Sequence, residues 1–392
     1  MRRKRQNLRE VPLLFLCGVL AILYSCSNQD ANSSAQDGNG AARPNILILI
    51  AEDMSPRVGA FGDPVAVSPA LDRLAAEGIR YPNTFTAAGV CAPSRAALIT
   101  GVHPMALGAQ HMRSMDQGYL AVPPRHVKAF PEILRREGYC AFTDHKLDYQ
   151  FSDVGPGTGP FTIWDAEGGN RYWQNCPEGK PFFGLINFQV THESAVFPRE
   201  GRPKNMMHLV FRILYFFLFL GHEDVVEPEG VIIPPYYPDT PIVRADMARH
   251  YNNIHRMDEQ VAEIRTALER DGLAGSTILV WTTDHGDGLP RAKREVYDSG
   301  IRVPMILYWP PALRPPCVWP GTVDEQLVSF VDLAPTVLGL AGISAPHYMV
   351  GRACVGPTAT SPARQYVYAA RDRMDEVPDR QRAVRDSRFK YI

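Results

Sequence analysis

Asn45-Ile-Leu-Ile-Leu-Ile50, followed at once by Ala51-Glu52-Asp53, is an apolar run that ends in two carboxylates. Five aliphatic residues in a row suit a strand covered on both faces. The same design returns at Thr277-Ile-Leu-Val-Trp-Thr282, with Asp284 and His285 just beyond it. Buried strands that run out into metal-type ligands predict an open α/β sheet, whose sites lie past the carboxyl ends of its strands. Helices between them are legible too. Ser68-Pro69 offers an N-cap and a first-turn proline, Leu71, Leu74 and Ala75 form an apolar stripe, and Gly78 ends it. Thr240-Pro241 opens a longer helix, in which Tyr251, Ile254, Met257, Val261, Ile264 and Leu268 recur at helical steps until Gly272.

Composition sets the bounds. The 392 residues are 45% hydrophobic, enough for one large α/β domain or two ordinary ones. A formal net charge of −1 excludes a globally basic nucleic-acid binder, and 10% aromatic residues exclude a disordered chain. Seven cysteines are too sparse for a disulfide-built scaffold.

The first 25 residues read as a leader. Arg2-Arg3-Lys4-Arg5 precedes an apolar run from Val11 to Leu23, shorter than the roughly 18–20 residues that span a bilayer. Leu23-Tyr24-Ser25-Cys26 resembles the bacterial lipoprotein box, in which Cys26 is acylated and becomes the first residue. Ordinary secretion and an uncleaved anchor are the alternatives. Residues 26–42, rich in Ser, Asn, Gly and Ala, then form a flexible tether. The expectation is an exported bacterial lipoprotein, in the periplasm or on the outer-membrane surface, attached to the membrane through its lipid. Residues 1–25 hold five of the basic residues and one acidic residue, so the mature chain carries a net charge of −5. An acidic body acting on an anionic substrate needs positive charge gathered locally.

Residues 208–220 are nearly all apolar, with Arg212 the single charged residue. A buried helix or strand is expected there; a lid or membrane-surface contact is the other reading.

The chemistry centres on Cys91-Ala-Pro-Ser-Arg95, followed by Ala96-Ala-Leu-Ile-Thr-Gly101. Cys91 stands before a helix start, where free N–H groups and the helix dipole favour developing negative charge. Arg95, one turn in, is placed to hold an anion. A structural cysteine beside a helix cap is the plainer reading of the pentapeptide alone.

Cys-x-Pro-Ser-Arg, with a helix ending in Thr-Gly, resembles the signature of the type I sulfatases, and the likeness runs from about Arg43 to the end of the chain. It implies an alkaline-phosphatase-like fold, a large mostly parallel central sheet flanked by helices. It also implies that a maturation enzyme converts Cys91 to Cα-formylglycine, whose hydrated aldehyde is the nucleophile. Glu52 and Asp53 fall at the family's first metal-binding pair and Asp284 and His285 at its second, with Cys91 completing the set. Three carboxylates and an imidazole favour calcium over zinc. Lys293, in Lys-Arg-Glu-Val-Tyr-Asp-Ser-Gly, resembles the sulfate-contacting lysine, and Lys146 the second lysine of that pocket. Pro181-Phe-Phe-Gly-Leu-Ile-Asn-Phe-Gln-Val-Thr-His192 resembles the strand that ends in the general-acid histidine. The family commonly reads Lys-x-His where this chain has Lys146-Leu147-Asp148, so Asp148 or His145 takes over that histidine's proton-acceptor role or another route replaces it; Asp148 is preferred.

The implied reaction follows the charge. The cation, Arg95, Lys146 and Lys293 stabilise the sulfate oxygens, Asp284 takes the proton of the attacking hydroxyl, and His192 protonates the departing alcohol. Gly108-x-x-His111-Met-Arg113-Ser, with Ile232–Thr240 and Arg291–Arg294, resembles the branch near the heparan N-sulfatases, so His111 and Arg113 are candidate substrate readers. Solvated loop residues are the bland alternative for both. Cys140, Cys176, Cys317 and Cys354 are left as two disulfides or four thiols. Ala383–Ile392 resembles the first strand of the family's smaller C-terminal subdomain. The chain therefore divides into a leader (1–25), a tether (26–42), a catalytic domain (43–380) and the start of an incomplete subdomain (381–392).

The expected activity is hydrolysis of sulfate esters or sulfamates on a sulfated glycan, heparan-type first. The rivals are a phosphodiesterase or phosphonate hydrolase on the same scaffold, and an inactive glycan-binding surface lipoprotein.

Overall fold

The computed structural model describes residues 43–112, 118–169, 172–196, 203, 205–218, 221–316, 318–359, 362–374 and 377–392. The leader and tether with Cys26, and also Arg113 and Cys317, lie outside the described residues.

The main sheet is built on β1 (Asn45–Ala51), whose seven residues are all buried. The other strands are β2 (Ile79–Phe85), β3 (Cys140–Thr143), β4 (Ala166–Glu167), β5 (Phe182–Phe188), β6 (Thr277–Thr283), β7 (Arg302–Tyr308), β8 (Thr322–Val323) and β9 (Val328–Ser329). Their order is β4-β3-β5-β1-β6-β7-β2-β8, with β9 also beside β2. All pairings are parallel except those of β7, which runs against both β6 and β2. The α/β expectation, a mostly parallel sheet flanked by helices, is met.

The apolar run of β1 has a direct cause. Ile46, Ile48 and Ile50 join a core with α2 (Cys91–Thr100), α3 (Phe130–Arg136) and α6 (Leu333–Leu340). Leu47, Leu49 and Ala51 join the opposite core, with α1 (Pro69–Glu77) and α5 (Pro241–Arg270). Alternate residues of one strand thus feed two cores, each buried Ile or Leu contributing roughly 1.5–3 kcal/mol.

Both expected helices form, but the cap of α1 differs. Ser68 makes no side-chain cap; its Oγ accepts from Gly59 N instead. The first-turn N–H groups of Ala70 and Leu71 donate to the carboxylate of Asp258, on α5, at 2.9 and 2.8 Å. A long-range acceptor has replaced the local one, tying α1 to α5 where sequence alone shows only the local candidate.

The apolar segment also differs from expectation. It forms α4 (Met206–Leu218), which is a helix but not a buried one. His208 and Tyr215 point inward, whereas Met206, Met207, Val210, Ile213, Leu214 and Phe217 are exposed. Apolarity alone does not bury a helix when, among the described residues, neighbouring elements meet only one side of it.

Cys140 and Cys176 form a disulfide, and Cys354 is a free thiol. Closing a loop across a sequence separation of 36 restricts the unfolded chain by about 3–4 kcal/mol.

A second, antiparallel sheet comprises β10 (Val367–Met374), β11 (Val377–Arg385) and β12 (Lys390–Tyr391). Residues 381–392 are therefore not a first strand. They hold the second half of β11, a turn and β12, so a boundary at 380 falls inside a strand. The preceding strand was hidden because β10 reads Val-Tyr-Ala-Ala-Arg-Asp-Arg-Met, with Asp372 paired to Arg382 of β11 in place of apolar alternation. Val367, Ala369 and Ala383 seat this sheet against Phe85, Val296, Ile301 and Leu327 of the main body.

Candidate active site

The carboxyl ends of β1 and β6 lie side by side, with Ala51 opposite Thr283. That register brings Glu52 and Asp53 next to Asp284 and His285. Asp53 turns into the left-handed region, with φ of 53°, and its N–H donates to Asp284 Oδ1 at 3.0 Å. A non-glycine residue held there stores strain that the surrounding bonds maintain.

Cys91 opens α2 and is buried between these ligands. Its Sγ lies 3.3 Å from His285 Nε2 and 4.0 Å from Asp53 Oδ1. The loop from β6 to β7 closes over it: Arg294 N donates to Gly89 O at 2.5 Å. Gly89 is required by that approach, because a Cβ would run into the carbonyl of Glu295.

Three cations face the three carboxylates. Arg95 donates through Nε and Nη2 to Asp284 Oδ2, at 3.2 and 3.0 Å, and through Nη1 to Asn187 Oδ1 at 2.5 Å. Lys146 Nζ donates to Glu52 Oε2 at 2.6 Å and lies 4.0 Å from Asp148 Oδ2. Lys293 Nζ reaches Asp53 Oδ2 at 2.7 Å and Glu193 Oε1 at 3.0 Å. Burial pushes Glu52 upward, against Lys146 and Arg95. It pushes Asp53 up as well, but Lys293, His192 and His285 outweigh it and hold that carboxyl well below the usual range. At Asp284 the same contest, against His285 and Arg95, ends at about 2. Burial disfavours charge on Lys146 and Lys293, yet their anionic neighbours raise both above an ordinary lysine.

The donor set fits a divalent cation. Ligand atoms of Asp53, Cys91, Asp284 and His285 all lie within 4.8 Å of one another. His285 Nδ1 contacts Gly286 O at 2.9 Å, leaving Nε2 toward the carboxylates. Burial lowers the affinity of this ring for protons, but Asp284, Cys91 and Asp53 overcome it and raise it well above an ordinary histidine. A cation placed there would satisfy the same carboxylates. Glu52 Oε1 is buried without a hydrogen-bond partner, an oxygen still open to a ligand.

His192 lies beyond β5, past a short 3-10 turn (Gln189–Thr191), rather than at the strand's last residue. Its Nε2 is 3.4 Å from Lys293 Nζ and 3.8 Å from Asp53 Oδ2. Burial, opposed by Asp53 and reinforced by Lys293, lowers the imidazole to about 3.

Arg95 bonds to protein acceptors through Nε and both terminal nitrogens, orienting Asp284 and Asn187. His145 is exposed, whereas Asp148 is buried beside Lys146 in the left-handed region, with φ of 47°. His111 sits outside the charged network; Arg373 N donates to its Nδ1, and neighbouring Met112 packs with Cys91 and Met374 of β10.

Several supporting residues escaped the sequence reading. Asn187, which holds Arg95, is itself gripped by Asp144 at 2.7 and 2.6 Å. A polar residue inside an otherwise apolar strand was its signal. Asp287 accepts from Arg57 Nε, Ser55 N and His250 Nε2, and its carbonyl accepts from Lys293 N. Glu193 takes a two-pronged bond from Arg294.

Comparison with known proteins gives this arrangement a family. A family model described as Sulfatase matches residues 44–343. The chain belongs to the sulfatase family. An ulvan-active sulfatase from Formosa agariphila is 39% identical over 100% of this chain and 68% of its own length. The human N-sulphoglucosamine sulphohydrolase is 28% identical over 86% of the chain and 66% of its own length. A protein solved in complex with its substrate D-glucosamine-2-N,6-O-disulfate has the same fold, with a TM-score of 0.63 at 18% identity, covering 89% of this chain and 88% of that one. As a sulfatase, this protein is a sulfuric ester hydrolase by family, and its fold agrees with that of its structural neighbours.

Proposed function

We propose that this sulfatase removes sulfate from a sulfated polysaccharide, using a formylglycine made from Cys91 and a divalent cation, calcium first. The observation that carries the reading is Cys91 at the start of α2, 3.3 Å from His285 Nε2 within a buried set of three carboxylates and three cations. Asp53, Asp284 and His285 would hold the cation, with position 91 and Glu52 Oε1 as further donors. When bound, the ion supplies positive charge against the sulfate oxygens, and the hydrated aldehyde supplies a hydroxyl nucleophile with a second hydroxyl for release.

The chain's own residues do the rest. Lys146 and Lys293 bind the sulfate oxygens, exchanging part of their contact with Glu52 and Asp53 for the substrate anion. Arg95 fixes Asp284, which takes the proton of the attacking group. His192 protonates the departing alcohol, since a sugar alkoxide is a poor leaving group; the ring acts as imidazolium, and the bound sulfate anion favours its taking up that proton by offsetting the Lys293 charge that adds to burial in holding it at about 3. Asp148, buried 4.0 Å from Lys146, is the better stand-in for the missing Lys-x-His histidine than exposed His145. His111 and Arg113 remain candidates for contact with the sugar.

The ulvan-active relative makes ulvan oligosaccharides the first substrates to try, and the human relative makes heparan-type N- and O-sulfated sugars the second. Matured enzyme is expected to release inorganic sulfate from at least one of these sets, and phosphate or phosphonate esters are expected to react far more slowly. A preference for the phosphorus esters would overturn the reading.

Lipid attachment at Cys26 is part of the same proposal, supported by Leu23-Tyr-Ser-Cys26 and the basic leader. Among the described residues no helix is long and apolar enough to cross a membrane. Cys26→Ala is expected to abolish incorporation of labelled fatty acid into the protein. Undiminished labelling would contradict acylation at Cys26.

A further inference from the structure

We infer that Ser194 and Tyr215 are positioning residues that hold His192 with its proton on Nε2 and that nitrogen turned toward Lys293 and Asp53. The inference rests on the sulfatase reading of the site.

The hydrogen bonds around the ring carry it. His192 Nδ1 lies 2.7 Å from Ser194 Oγ, and Ser194 N–H donates to the same nitrogen at 3.3 Å. A ring nitrogen that accepts a backbone N–H presents its lone pair there, so the neutral ring carries its proton on Nε2. Ser194 Oγ also lies 2.8 Å from Tyr215 Oη, a contact that leaves Ser194 its proton for Nδ1 when the phenol turns its own toward Ser194 and not toward Gln189 O. The competing arrangement would have Nε2 accept from Lys293 Nζ at 3.4 Å. That contact is the longer of the two, against 2.7 Å at Nδ1, and the lysine's shorter bonds go to Asp53 at 2.7 Å and Glu193 at 3.0 Å, so its claim on Nε2 is weaker.

A hydroxyl suits this position in either charge state of the ring. It donates to Nδ1 of neutral imidazole and turns to accept from Nδ1–H if the ring takes a second proton, keeping the ring plane fixed. Tyr215 then explains the odd helix. On α4, where most apolar side chains are exposed, Tyr215 is one of two inward residues named above, and its hydroxyl meets Ser194 and, at 3.4 Å, Gln189 O. The helix thereby braces the turn that carries His192. Burial raises the Tyr215 phenol to about 12, so it stays a proton donor across the working range.

The test separates proton donation from general damage. A general acid matters for a sugar alcohol leaving group and little for an acidic phenol. Ser194→Ala is expected to lower kcat on a sulfated oligosaccharide about 10- to 100-fold, the usual cost of losing a residue that orients a histidine. On 4-nitrophenyl sulfate the same variant should lose less than about threefold. Tyr215→Phe, which keeps the ring and its packing, should show the same split at about 3- to 10-fold. Equal losses on both esters, with wild type active on both, would overturn the positioning role and leave the sulfatase reading intact. Wild type inert toward every sulfate ester after maturation would overturn both.

A readout without turnover accompanies it. In unmatured protein labelled with 15N-histidine, with the His192 signals assigned through His192→Gln, Nε2 is expected to carry the proton, and Ser194→Ala should mix the two tautomers. A wild-type ring protonated on Nδ1 would overturn the inference.

Discussion

Replacing Cys91 with alanine is expected to abolish sulfate release, by about 10⁴-fold or more, while leaving the thermal unfolding midpoint nearly unchanged. Cys91 is buried, and its contacts among the described residues are of two kinds. On one side lie Val90, Ala92, Met112 and Met374, which an alanine still touches. On the other lie His285 Nε2 and Asp53 Oδ1, both of which have protein partners without the sulfur. The thiol therefore adds little to packing, and its cost falls on chemistry. Cys91→Ser, produced without a maturation enzyme, is the sharper comparison, because it keeps an oxygen at the site but not an aldehyde hydrate with two hydroxyls. It should take up sulfate once without releasing it. Steady turnover by either variant would show that position 91 is not the nucleophile.

Removing the divalent cation is expected to lower activity of matured wild type about 10³-fold, with recovery on adding calcium, since a Lewis acid contributes several kcal/mol to such a step. The loss should be reversible because the carboxylates have internal partners to fall back on. Lys146 covers Glu52, Lys293 covers Asp53 and Arg95 covers Asp284. The same pairing makes substitution harsher than chelation. Asp284→Asn removes the charge partner of buried Arg95, and breaking a buried pair costs about 3–5 kcal/mol. That variant should lose both activity and Tm, whereas chelation should lose mainly activity. Activity untouched by chelation would contradict the metal reading.

The legible parts of this molecule were those written in consecutive residues. The runs at 45–50 and 277–282 are continuous because β1 and β6 sit inside the sheet with a core on each face, and a doubly covered strand has no polar position to hide it. Glu52, Asp53, Asp284 and His285 could be read because they follow those strands directly. What stayed hidden depends on meetings across long sequence distances. Asp258 caps α1 from 188 residues away, and Asn187 reaches Arg95 across 92. Neither has a local pattern. The apolar helix α4 misled because hydropathy reports the side chain and not whether anything packs against it. Arg95 was legible only in part, since a guanidinium beside a nucleophile gives no sign in sequence of the acceptors, Asp284 and Asn187, that it also holds.

The central claim is that position 91 becomes an aldehyde that carries sulfatase chemistry. Trypsin cuts after Arg80 and Arg95, so Cys91 lies in a single peptide, 81–95. Mass spectrometry of that peptide, from protein produced with a formylglycine-generating maturation enzyme, should show an aldehyde in place of the thiol, in proportion to the activity of each preparation. Full sulfatase activity from a preparation whose peptide carries only unmodified cysteine would contradict the account.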